Sequence, residues 1–142
     1  MSREHKYRGK RLDNGKWVYG SFLGGRLCHI MSHKTVKKTD STSMFAGYEV
    51  LPVLPETVGE YTGLKDKYGK KIYKGDIIRY ISKYLEHPVD FEVVYYNGCY
   101  AQRHLDTKME DMPEEATDAI YRYWNQLKVI GDIHENPELL KK

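Results

Sequence analysis

Cysteine is nearly absent: Cys28 and Cys99 are the two in 142 residues. Without a C-x-x-C pair or a secretory cysteine framework, both thiols are expected to stay free in a reducing cytoplasm. Long apolar runs are missing too. No stretch approaches the roughly 18–20 residues needed to cross a bilayer. The opening MSREHKYRGK has no apolar signal core. A soluble protein with no membrane partner is expected. Charge of one sign does not accumulate either. The 23 basic and 20 acidic residues are mostly interspersed and leave +3, without the basic stripe of a dedicated duplex-DNA binder. There is no G-x-S-x-G, Walker or Rossmann pattern, and residues 56–80 hold no nucleophile–base pair and no metal-ligand set. The expectation is a non-enzyme with no catalytic, cofactor-binding or metal residues and no cofactor.

What is present reads as β structure. Hydrophobic residues at 40% and charged residues at 30% belong to a globular chain, long enough for one domain with a real core. Tyrosine (13) and glycine (12) are plentiful; the first suits a half-buried pleated surface and the second marks turns.

Residues 6–22 read as a hairpin around Asn14-Gly15, a tight primed-turn signal. Trp17 and Tyr19 fall on one face of the outgoing strand, Val18 and Phe22 on the other. Gly20 inside it predicts a bulge or a close backbone approach. Gly24-Gly25 is a second turn, followed by a strand over 26–31. The polar stretch 32–47 predicts a long mobile loop. A short strand over 48–53 is limited by Pro52 and Pro55. Residues 57–62 alternate, 66–70 turn on Gly69, and Gly75-Asp76 opens a strand over 77–84. A second hairpin, 91–103, turns at Asn97-Gly98. Ala116, Ala119, Ile120, Tyr123, Trp124 and Leu127 recur at helical spacing, with Pro113 in the first turn. A last strand over 128–134 precedes Asn136, an N-cap for a short turn begun by Pro137.

Three segments in order, KYRGKRLDNGKWVYGSF, ETVGEYTGLKDKYGKKIYKGDIIRY and KVIGDIHENPELL, resemble the YopX family of phage and prophage proteins across nearly the whole chain. The resemblance implies a mainly β protein whose later part is a small SH3-like barrel. It also implies a phage or prophage origin and a bacterial host cytoplasm. It carries no catalytic residues over. This chain has His134 where the family commonly has an aromatic residue. Gly75-Asp76 before β-branched residues is also how many SH3-like barrels begin a long strand. The expected layout has minor α content. Residues 1–55 form a β-hairpin region with the 32–47 loop. Residues 56–142 form the barrel with one helix at about 113–125. The two pack as one compact unit.

Several clusters are candidate sites. Cys28, His29 and His33 lie in LCHIMSHKT, which lacks a helical period; extended, the histidines stand roughly 13 Å apart, too far to share an ion. Asp132, His134 and Glu135 at the last strand's end fit a divalent ion or an exposed strand end. Glu110, Asp111, Glu114, Glu115 and Asp118 read as a solvated helix face and dipole partners. Lys65, Lys67, Tyr68, Lys70, Lys71, Tyr73 and Lys74 combine cations with aromatics, a candidate surface for single-stranded nucleic acid. Lysines on turns also serve to keep sheet edges unpaired. Tyr121, Tyr123 and Trp124 form a candidate protein-interaction surface, for an unidentified partner or a second copy of the chain. The leading expectation is a phage accessory protein acting by protein contact. Nucleic-acid binding is second, and a metal-dependent hydrolase centred on Asp132 and His134 third.

Overall fold

The structure, a computed structural model, describes residues 6–24, 28–35, 44–45, 48–96, 98–105 and 124–140. The chain is mainly β and its strands pair antiparallel in two sheets. It divides into two compact units, Met1–Tyr61 and Thr62–Lys142.

The first unit holds β1 (Tyr7–Lys10), β2 (Trp17–Leu23), β3 (His29–Thr35), β4 (Met44–Phe45), β5 (Tyr48–Pro52) and the start of β6 (Gly59–Lys65). They neighbour one another in the order β4-β5-β3-β2-β1-β6. β1 and β2 are the expected hairpin, with Tyr7 opposite Gly20 and Lys10 opposite Trp17. Its loop is wider than a two-residue turn. The Asn14 Oδ1 accepts the Lys16 N–H at 2.9 Å, the Gly15 N–H donates to the Arg11 carbonyl, and Gly15 takes φ +68°. The asparagine side chain thus replaces a backbone partner and opens the turn. Gly20 makes the close approach its sequence position implies. A Cβ there would overlap the Met31 carbonyl oxygen of β3, so this strand pair admits only a hydrogen at that site. Val18, Ile30, Leu51 and Val53 form the core, joined by Tyr7, Phe22, Cys28 and Val58.

The expected loop at 32–47 is corrected at both ends. Residues 32–35 continue β3, and Met44–Phe45 pair with β5 as β4. Residues 36–43 and 46–47, where mobility was expected, lie outside the described residues. Pairing of β3 with β5, Thr35 opposite Tyr48, overrides a local composition that reads as loop.

In the second unit β6 continues past Tyr61, and β7 (Lys71–Tyr73) lies beside it. The Thr62 hydroxyl donates to the Ile72 carbonyl at 2.7 Å. β8 (Asp76–Tyr80), β9 (Val89–Tyr96), β10 (Cys99–His104) and β11 (Leu127–Asp132) form a sheet in the order β10-β9-β8-β11. Gly75 at φ +93° lets the chain reverse into β8, and the Asp76 carboxylate accepts the Tyr73 N–H at 2.7 Å. β9 and β10 form the second expected hairpin, Tyr96 opposite Cys99 and Gly98 at φ +79°. Ile72, Ile78, Phe91, Val93, Leu127 and Val129 make the core. Burying each stabilises by about 1.5–3 kcal/mol. β8 ends at Tyr80, not at 84, where the Ile81 N–H turns to the Gln126 carbonyl.

The helix expected over about 113–125 falls largely on residues 106–123, outside the described set. Its end is corrected: Trp124–Gln126 is one 3-10 turn. Leu127, placed by its spacing on the helix, opens β11 opposite Tyr80 and is fully buried. Strand pairing outweighs helical periodicity at that point. The short turn Pro137–Leu140 follows Asn136 as expected. Among the described residues no helix is long and apolar enough to cross a membrane.

Candidate nucleic-acid interface

The turn between β6 and β7 is organised by one buried carboxylate. Asp66 is the sole acid among residues 65–74 and is 3% exposed. Its Oδ1 accepts the N–H groups of Tyr68 and Lys70, each at 2.9 Å. Its Oδ2 accepts the Val129 N–H of β11 at 3.0 Å. The Lys67 N–H donates to the Leu127 carbonyl at 3.0 Å, and Gly69 takes φ +83°. A surface turn is thereby fixed to a strand more than fifty residues away.

With the acid turned inward, cations and one ring face solvent. Tyr68 is 65% exposed. The Lys67 Nζ stands 5.2 Å from its ring centroid and the Lys128 Nζ 5.8 Å. Each ammonium lies within the range where the ring quadrupole attracts it. Lys65, Lys70 and Lys74 are also exposed, and Lys71 is half-buried. Tyr73 is 5% exposed and offers no ring to a ligand. Lys128 was not among the sequence candidates. Its separation along the chain hides it, and the Asp66 and Lys67 hydrogen bonds between the turn and β11 bring it in.

The other candidates do not assemble. His29 and His33 both lie in β3, an extended strand. Asp132 serves its own chain turn, its Oδ1 accepting the N–H groups of His134 and Glu135 at 2.9 and 2.8 Å. Asn136 Oδ1 accepts the Asp132 N–H at 3.2 Å. A Cβ on Gly131 would stand 2.5 Å from that Oδ1, so the G-D-I-H-E-N sequence is a closed structural turn. Among the described residues no three His, Cys, Asp or Glu side chains are grouped to hold a metal ion. Glu110, Asp111, Glu114, Glu115, Asp118, Tyr121 and Tyr123 lie outside the described residues, and Trp124 begins the 3-10 turn.

Three further charge pairs among the described residues are structural. Arg79 holds Asp90 bidentately at 2.8 and 3.1 Å, and this bond raises the Arg79 pKa above its ordinary value. Arg103 holds Glu92 at 2.7 Å. At the β1–β2 loop, the hydrogen bond from Arg11 keeps the exposed Asp13 carboxyl below its usual range.

These features define a mainly β, antiparallel protein with a cationic aromatic turn. The profile of one protein family, described as YopX protein, matches residues 6–141. The chain belongs to the YopX protein family. Its fold resembles the crystal structure of protein EF1440 from Enterococcus faecalis, at 24% identity and a TM-score of 0.55, over 99% of this chain and 100% of that one. No curated protein matches it.

Proposed function

We propose that this protein is a non-enzymatic phage or prophage accessory protein that binds single-stranded nucleic acid in the bacterial cytoplasm through the Tyr68 turn. The observation that supports it is the exposed Tyr68 ring with the Lys67 and Lys128 ammoniums 5.2 and 5.8 Å from its centroid, on a turn whose sole acid is buried. A base stacks on such a ring and lysines follow the phosphates, without sequence preference. We read the antiparallel strands of the second unit as a small SH3-like barrel, and the function as residing in the Tyr68 turn that this scaffold carries. Sequence reading ranked protein contact first, on Tyr121, Tyr123 and Trp124. We rank the turn first, on its exposed ring, its cations and the hydrogen bonds that hold it.

The test is fluorescence anisotropy with labelled single-stranded and duplex oligonucleotides at about 50 and 200 mM salt. Binding should favour the single strand and weaken steeply with salt, as counterion release requires. Flat curves at high protein concentration overturn the reading.

A second reading, contact with a protein partner or a second copy, rests on the loop between β8 and β9. There Tyr84 is 84% exposed, with Ile81 and Leu85 at 37% and 40%. Several exposed apolar side chains on one short loop are more typical of an interface than of bare surface. Sedimentation over a wide concentration range tests self-association. Mass rising toward a dimer supports it, and a monomer throughout removes it.

A further inference from the structure

We propose that the first unit carries a second stacking platform for single-stranded nucleic acid, built from Trp17 and Tyr19 with Lys10 and Arg8. It extends the function proposed above and rests on that reading.

Pairing of β1 with β2 sets Arg8 opposite Tyr19 and Lys10 opposite Trp17. Strand alternation puts these four on the face away from Val18 and Phe22, which pack in the core. The Arg8 Cζ lies 4.5 Å from the Trp17 ring centroid and the Lys10 Nζ 5.4 Å. This repeats, on a different unit and different strands, the pattern of an aromatic ring beside two cations seen at Tyr68. Arg8 is 6% exposed while Tyr19 is 47% exposed, and Trp17 is half-buried. The roles divide accordingly. Arg8 is a positioning residue that fixes the indole. Tyr19 and the open part of Trp17 offer stacking surface, and Lys10 supplies charge for a phosphate.

The chemistry of the face selects the ligand. Register continues it through Ser21 and Leu23 to Met31 and His29 of β3. The positions 8, 10, 17, 19, 21, 23, 29 and 31 include no carboxylate. Cations beside flat rings match the phosphates and bases of a nucleic acid rather than an acidic peptide.

The experiment uses the full chain with Trp124→Phe, which leaves Trp17 as the one tryptophan of the original two. An oligothymidylate of about 16 nucleotides, a length that such surfaces track, is titrated at low salt. Trp17 emission should be quenched saturably, because the base lies on the ring. Tyr19→Ala should weaken the quenching titration by about tenfold, the scale of one lost stack, and Tyr19→Phe should restore it. That rescue separates stacking from mere folding. In a Tyr68→Ala variant the Trp17 quenching should persist. Trp17 emission unmoved in protein that still binds by anisotropy overturns the second platform and leaves the Tyr68 turn standing. Quenching with affinity indifferent to Tyr68→Ala overturns the Tyr68 turn and leaves this platform. No binding by either readout removes both.

Discussion

Replacing Asp66 with alanine is expected to lower the stability of the second unit by about 3 kcal/mol. The carboxylate accepts three backbone N–H groups, and they are not equal. The Tyr68 and Lys70 N–H groups sit on an exposed turn, where water replaces the lost acceptor, so each costs about 0.5–1 kcal/mol. The Val129 N–H lies in a buried strand beside Leu127, and leaving it unpaired costs about 1–3 kcal/mol. Urea denaturation followed by circular dichroism reads the change in midpoint. Asp66→Asn should lose less, because its amide carbonyl still accepts. It should stay folded while nucleic-acid binding weakens, since the turn that aims Tyr68 loses part of its support. A change below about 0.5 kcal/mol for Asp66→Ala, the size of an ordinary surface substitution, would show that the turn does not depend on this carboxylate.

The hairpins were legible because their information is local. Asn14-Gly15 and Asn97-Gly98 sit between alternating residues, and each marks a real reversal, with glycine at positive φ in both. The role of Gly20 was legible for the same reason: a glycine inside a strand has few explanations, and close backbone approach was one of them. The misreadings share a cause. At 32–35 composition suggested loop, but β3 pairs there with β5, Thr35 opposite Tyr48. At Leu127 a helical period ran on by one residue into a strand held by β8. Tertiary pairing decided both, and no local window contains it.

The site followed the same division. The lysines and Tyr68 of the turn were visible as a run. The sequence could not show that Tyr73 turns inward while Tyr68 turns out, because alternation through a turn of unknown length loses its phase. Nor could it show Lys128. The most telling residue is Asp66, which looks in sequence like one acid diluting a basic run. In the structure its charge is withdrawn from the surface and its oxygens hold the turn. The run is therefore more cationic toward a ligand than its composition implies. Asp132 had the opposite fate: an apparent metal ligand, it is engaged by the N–H groups of its own turn.

Reversing charge at Lys67, Lys70 and Lys71 to glutamate is expected to abolish single-strand binding while the domain stays folded. The three substitutions take the formal net charge from +3 to −3, two charges per position. They act on one surface. Lys67 and Lys70 are exposed and Lys71 half-buried, so the core of Ile72, Ile78 and Val93 is untouched. At about 50 mM salt the loss should exceed a hundredfold, because removing phosphate contacts lowers both the affinity and its salt slope. Net charge alone could produce part of this, so two single variants separate the causes. Lys128→Glu changes a residue distant in sequence but 5.8 Å from the same ring, and should weaken binding. Lys83→Glu changes a lysine beside Tyr84 on the β8–β9 loop, and should leave binding near wild type. Equal losses from both would mean diffuse attraction between a basic protein and a polyanion. Unchanged binding by the triple variant would exclude the Tyr68 turn as the contact surface. A loss confined to the residues around Tyr68 would locate the contact on that ring, through a lysine contributed by β11 that proximity in the fold, and not in the chain, selects.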